Sequence, residues 1–309
     1  MLHGAIEFFS SKKRIIKEVE GESIAGYDGE MKKSLSFILL AFFMTSCTHV
    51  FYQPSSALYS APETLGIQYE NLYFETADKV RLHGWLFETP KEIPPKGLIL
   101  FFHGNAQNIT SHYLNLQWVT QFGYDVFIFD YRGYGLSKGR PNQKGVYQDA
   151  LAAMNLAASM QKERGYQKMI LYGQSLGGII AAHALETDDW KNFFDLVVFD
   201  STFYSYQVIA RGKINQVPGL RVLRGMVPWL VSDSTKPTTI YQDLQKSVLV
   251  IHGKRDSIVE HEYGAEIYSR LKTEKKWFWE IEEGEHIDVF ISHLHKYRYR
   301  FVELLDQKI

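Results

Sequence analysis

Six short apolar runs recur along the chain: GLILFFHGN (97–105), DVFIFDYRG (125–133), KMILYGQS (168–175), FDLVVFDS (194–201), SVLVIHG (247–253) and KKWFWEIE (275–282). Between and after most of them stand segments of helical spacing: NITSHYLNLQWVTQFG (108–123), YQDALAAMNLAASMQKER (147–164), LGGIIAAHALE (176–186), HEYGAEIYSRLK (261–272) and SHLHKYRYRFVELLDQ (292–307). A strand that is apolar on both faces must be covered on both faces. Strands of that kind alternating with helices therefore specify an α/β fold, a mostly parallel sheet with helices on either side. IQYENLYFET (67–76) and VRLHGWLFET (80–89) read as a hairpin ahead of it. About eight strands then belong to one domain, residues 66–309. Residues 203–245 break the rhythm; they are either a small cap over the carboxyl ends of the strands, where such folds bind ligands, or ordinary connecting structure.

One run ends in chemistry. LYGQSLGG places G-x-S-x-G at Gly173, Ser175 and Gly177, at the junction of a strand and an Ala-rich helix. That setting is what a nucleophile elbow requires. The serine sits in a strained turn, and neighbours two residues away must lack colliding side chains. The helix that begins there directs free N–H groups toward the serine. A serine hydroxyl still needs a base, oriented by an acid, with the acid after the penultimate strand and the histidine after the last. IHGKRDSIV offers Asp256 and EIEEGEHIDVF offers His286. Asp200 and Asp288 are rival acids. His252 and His103 read as structural. Two oxyanion donors are expected from backbone N–H groups, at Leu176 and at Asn105, with Ala106 as the rival to Asn105.

FFHGNAQN, FDYRGYGLSKGRPNQKG, YGQSLGG, VLVIHGKRDSIV and EGEHIDVF, in this order, resemble the α/β-hydrolase superfamily over residues 66–309. More narrowly they resemble a branch that includes lysophospholipases and protein depalmitoylases. The resemblance implies an eight-stranded α/β-hydrolase fold and structural roles for Asp130 and Arg132. Gln107 stands where that branch carries glycine. The function expected is a serine hydrolase of carboxylic esters or thioesters, of acyl or lipid type, working through Ser175, His286, Asp256 and an acyl-enzyme. A peptidase of the same fold and a non-catalytic, membrane-anchored binding lipoprotein are the alternatives. Serine at position 175 argues against a dehalogenase or epoxide hydrolase, which use aspartate there. Nothing calls for a metal or organic cofactor. A net charge of −1 points to no nucleic acid partner, and one cysteine excludes an internal disulfide.

That cysteine closes MKKSLSFILLAFFMTSC (31–47). The apolar run 35–44 is too short to span a bilayer, which takes about 20 residues, and has the length of a signal-peptide core behind Lys32 and Lys33. Residues 1–30 carry four basic against six acidic side chains, the wrong sign for a signal, and read as an upstream extension. MTSC resembles the lipobox of bacterial lipoproteins, which implies a signal at 31–46 and lipidation of Cys47. Residues 47–65, with Pro54 and Pro62, read as a tether. The expected location is the periplasmic side of a membrane, the outer membrane favoured because Thr48 follows the cysteine rather than aspartate.

Overall fold

The structure is a computed structural model describing residues 51–307 apart from 188, 218, 220, 238 and 293. Its strands are β1 (Glu70–Glu75), β2 (Arg81–Phe87), β3 (Gly97–Phe102), β4 (Tyr124–Asp130), β5 (Lys168–Gln174), β6 (Leu196–Asp200), β7 (Ser247–Gly253) and β8 (Lys276–Ile281). They form one sheet in the order β1-β2-β4-β3-β5-β6-β7-β8. β1, β2 and β4 pair antiparallel, and every other pairing is parallel.

The longer helices are α1 (Gln143–Arg164), α2 (Leu176–Ala184), α3 (Tyr206–Gln216), α4 (His261–Arg270) and α5 (Leu294–Asp306). The period of two in a strand divides the core. Leu98, Leu100 and Phe102 of β3 pack with Ala150, Met154 and Ala157 of α1 and with Ile179 of α2. Ile99 and Phe101 point the other way, into the cluster that holds Phe301 and Leu305 of α5. All six residues of β3 are buried, which is why its sequence shows no polar alternation.

Two expectations change. Residues 108–123 do not form one α-helix. A single α-turn (Ile109–His112) is followed by 3₁₀ turns at Tyr113–Asn115 and Gln117–Phe122, ending at Gly123 with φ 94°. The Trp118 indole donates to the Asn115 carbonyl at 2.8 Å, and the Val119 amide turns to Leu116 O instead. The Asn115 side chain donates inward to Gln174 Oε1.

The second change concerns the tether. Residues 51–60 lie against the domain as a strap. The Tyr52 and Tyr206 hydroxyls are 3.1 Å apart, Pro54 bridges Gln107, and Asn108 Nδ2 donates to Ser55 O and Ala57 O. A Pro/Ser-rich composition marks the absence of regular structure, but loop side chains still satisfy its backbone.

The segment 203–245 leaves the carboxyl end of β6 and holds α3 and short turns at Arg221–Met226, Val227–Leu230 and Ile240–Asp243. Among the described residues no helix is long and apolar enough to cross a membrane. The extension 1–30, the signal 31–46 and Cys47 lie outside the described residues.

Candidate active site

β5 delivers Ser175 and α2 begins one residue later. Ser175 has φ 51° and ψ −118°, a conformation that is costly for a residue with a side chain. Its N–H donates to Asp200 O at 2.8 Å, and its carbonyl accepts from the Thr202 hydroxyl. The flanking glycines are demanded by contact. A Cβ on Gly177 would fall 2.1 Å from Phe102 O, and one on Gly173 would fall 2.7 Å from Gly178 Cα.

Residues far apart in sequence meet at this turn. His286, in the loop after β8, has Nε2 at 3.0 Å from Ser175 Oγ. Its Nδ1 lies 2.7 Å from Asp256 Oδ2, in the loop after β7. The other oxygen of Asp256 accepts from the amides of Ile258 and Val259, each at 2.8 Å. Burial opposes a charge on Asp256, but hydrogen bonds from His252 and His286 outweigh it and hold the carboxyl well below its usual range. It is therefore a carboxylate, able to orient an imidazole and to stabilise its positive charge.

Of the rival acids, Asp200 is engaged beneath the site. It accepts from the Tyr172 hydroxyl at 2.7 Å, Gln174 Nε2 at 3.1 Å and the Ser201 hydroxyl at 3.1 Å. Burial pushes its carboxyl up. The carboxylate that meets His286 Nδ1 is Asp256, not Asp288. His252 supports the acid's loop: its Nε2 is 2.9 Å from Val259 O and 3.4 Å from Asp256 Oδ2. The histidine's loop is also pinned, since Ile287 takes φ 55° and its N–H donates to Ser201 Oγ at 3.3 Å.

The loop after β3 passes beside the serine: a Cβ on Gly104 would sit 3.4 Å from Ser175 Cβ. Leu176 is the first residue of α2, so its N–H has no intrahelical acceptor. The Asn105 N–H makes no backbone hydrogen bond among the described residues. Neither expected oxyanion donor, nor the rival Ala106 N–H, has a backbone acceptor outside the regular elements among the described residues. The Asn105 side chain is occupied elsewhere, with Oδ1 accepting from Gln53 N–H and from the Tyr134 hydroxyl, each at 2.9 Å. The next two residues, Ala106 and Gln107, have φ 64° and 61°. His112 ties this turn to the elbow, with Nε2 3.3 Å from Ala106 O and Nδ1 3.3 Å from Gln174 Oε1.

His103 is wholly buried, with Nδ1 2.7 Å from Gly104 O. Burial keeps it neutral, and it braces the loop. Asp130 accepts from the Ile109 amide, and Arg132 bridges Asp78 and Asp149. Sequence reasoning missed Gln53, Tyr134, His112 and Gln174. Only Gln174 carried a signal, as a variable position of the serine motif. Among the described residues no group of three or more His, Cys, Asp or Glu side chains could hold a metal ion.

The family model described as serine aminopeptidase, S33 matches residues 93–246. The Escherichia coli K12 protein YfhR is 31% identical over 261 residues, 82% of this chain and 86% of YfhR. The Arabidopsis thaliana α/β-hydrolase domain-containing protein WAV2 is 27% identical over 75% of this chain and 76% of its own. Among solved structures, the Pyrococcus furiosus esterase Pf2001 superposes with a TM-score of 0.64 at 21% identity, over 82% of this chain and 96% of the esterase. The Pyrococcus horikoshii acylaminoacyl peptidase does so with 0.61 at 17% identity, over 79% of this chain and 42% of the peptidase. Identity to YfhR across most of both chains, joined to this sheet order, makes the chain a member of the α/β-hydrolase family.

Proposed function

We propose that the protein is a serine hydrolase of carboxylic esters or thioesters with acyl or lipid-type substrates. The carrying observation is the continuous array Ser175 Oγ, His286, Asp256 at 3.0 and 2.7 Å. In this reading Ser175 Oγ bonds to the acyl carbon as His286 Nε2 takes its proton. The N–H groups of Leu176 and Asn105 hold the developing oxyanion. The carbon–oxygen or carbon–sulfur bond to the leaving group then breaks, and His286 returns the proton to the departing alcohol or thiol. Water repeats the sequence on the acyl-enzyme and releases the acid.

The membrane part of the proposal rests on the sequence: a lipid on Cys47 would hold the enzyme on the periplasmic side of the outer membrane, among acyl substrates. A peptidase is the second reading. It draws support from the description of the matching family model.

A fluorophosphonate probe tests the enzyme reading, with labelling expected for the wild type and lost in Ser175→Ala. Equal labelling of the two would sink it. A panel of p-nitrophenyl esters of rising chain length beside p-nitroanilides separates the readings. Octanoate hydrolysed faster than acetate, with anilides untouched, is the expected outcome.

A further inference from the structure

The segment after β6 has a face that the site does not use. Val222, Leu223, Met226 and Trp229 lie on one short run, a 3₁₀ turn at Arg221–Met226 followed by an α-turn at Val227–Leu230. Val222 is 84% and Trp229 86% exposed, and Leu223 and Met226 are also open to solvent. Burying such side chains is worth about 1.5–3 kcal/mol each, and here that gain is unclaimed. Scattered apolar surface is ordinary; a tryptophan, a methionine and two aliphatics on one short run are not.

The charge of the same segment is one-sided. Between Ser205 and Ser232 the sequence holds Arg211, Lys213, Arg221 and Arg224 and no Asp or Glu. Lys213 is half-buried and reaches toward Ser257 O, on the loop of Asp256. Arg221 and Arg224 are exposed and alternate with the apolar side chains. Exposed apolar side chains that include a tryptophan, interleaved with arginines, are a composition suited to the headgroup region of an anionic bilayer.

The course of the chain supports the same occupant. The Phe51 ring packs edge-on against Tyr206, the first residue of α3, at 5.3 Å, and the Tyr52 hydroxyl meets that of Tyr206. Cys47 stands four positions before Phe51, at most about 14 Å of chain. The beginning of the described chain is thus tied to the first residue of α3, whose other end leads toward the run 221–230.

We propose that the 221–230 face docks on an anionic phospholipid surface and so presents the carboxyl edge of the sheet, with Ser175, to the bilayer. The inference extends the membrane part of the proposed function and does not depend on hydrolysis.

The test uses the full chain with Cys47→Ser, which removes both the lipid and the single native thiol. An environment-sensitive fluorophore is then placed by Val222→Cys, or by Glu163→Cys at the end of α1, on the opposite edge of the sheet. Phosphatidylglycerol-containing vesicles should shift the emission of the position-222 probe to the blue and leave the position-163 probe unchanged. Phosphatidylcholine vesicles should give a smaller shift at 222. Arg221→Gln with Arg224→Gln should weaken the apparent affinity about 30-fold, with the far-ultraviolet circular dichroism unchanged. Equal shifts at the two positions, or equal shifts with the two lipids, would overturn the proposal. A blue shift without vesicles that grows with protein concentration would assign the face to a second copy of the chain and would also overturn it. Because no substrate is used, failure here is distinct from failure of the enzyme reading.

Discussion

The N–H of Gln53 donates to Asn105 Oδ1 at 2.9 Å, so the strap that enters the domain is tied to the loop beside the nucleophile. The Tyr134 hydroxyl donates to the same oxygen, and Ser55 N–H donates to Gln107 O. The strap therefore takes part in setting the turn through Ala106 and Gln107, which two positive φ values make costly. Asn105→Ala should lower kcat/KM on a p-nitrophenyl ester by about 10- to 100-fold, less than the 10²–10³ typical of losing a donor outright. Asn105→Asp keeps the acceptor and should restore most of the activity. Equal losses in the two variants would show that the acceptor is not what matters.

Asp256 and Asp200 should separate in kinetics. Asp256→Asn leaves the His286 imidazole in the wrong tautomer and is expected to cost about 10⁴-fold in kcat. Asp200→Asn leaves the His286–Asp256 contact intact and should cost far less in kcat. Its effect belongs in stability, through the Tyr172 and Gln174 partners. Steady-state kinetics and urea melts of the two variants read both quantities.

Asp256 also predicts the direction of an acid effect. Its carboxyl is held below the usual range when folded, while an unfolded aspartate takes up a proton near pH 3.9. The unfolded chain then binds more protons in this window. The stabilisation is complete above about pH 5 and is lost progressively as pH falls. Urea melts at descending pH should find the gap between wild type and Asp256→Asn closing below about pH 4.

Gly177 and Gly225 should respond oppositely to the same substitution. Gly177→Ala drives a Cβ onto the backbone oxygens of Phe102 and His103, at 2.1 and 2.6 Å. Thermal melts should show a loss of at least about 2 kcal/mol, or no folded protein. Gly225, in the exposed run, has nothing within 4 Å of its Cβ position. Gly225→Ala should stay within about 0.5 kcal/mol of the wild type or exceed it.

The parallel sheet was legible because β3 to β7 are buried on both faces, and burial on both faces forces a continuous apolar run. The positions of Ser175, Asp256 and His286 were legible for a related reason. Each ends a strand or lies in the loop that follows, and a parallel sheet gathers those loops along one edge. The helix 108–123 was misread because apolar spacing cannot anticipate that the Trp118 indole takes the Asn115 carbonyl. The strap was misread because its order comes from Asn105, Asn108 and Tyr206, none of them nearby in sequence.

By itself the sequence determined the class of fold, the strained serine turn and the loops that carry Asp256 and His286, since all three are written in local periodicity and in glycine placement. Tertiary structure alone decided that Gln53 and Tyr134 hold Asn105. That choice rests on hydrogen-bond geometry of a few tenths of an ångström between groups 29 to 52 residues apart. Only the packed sheet brings such distances into being.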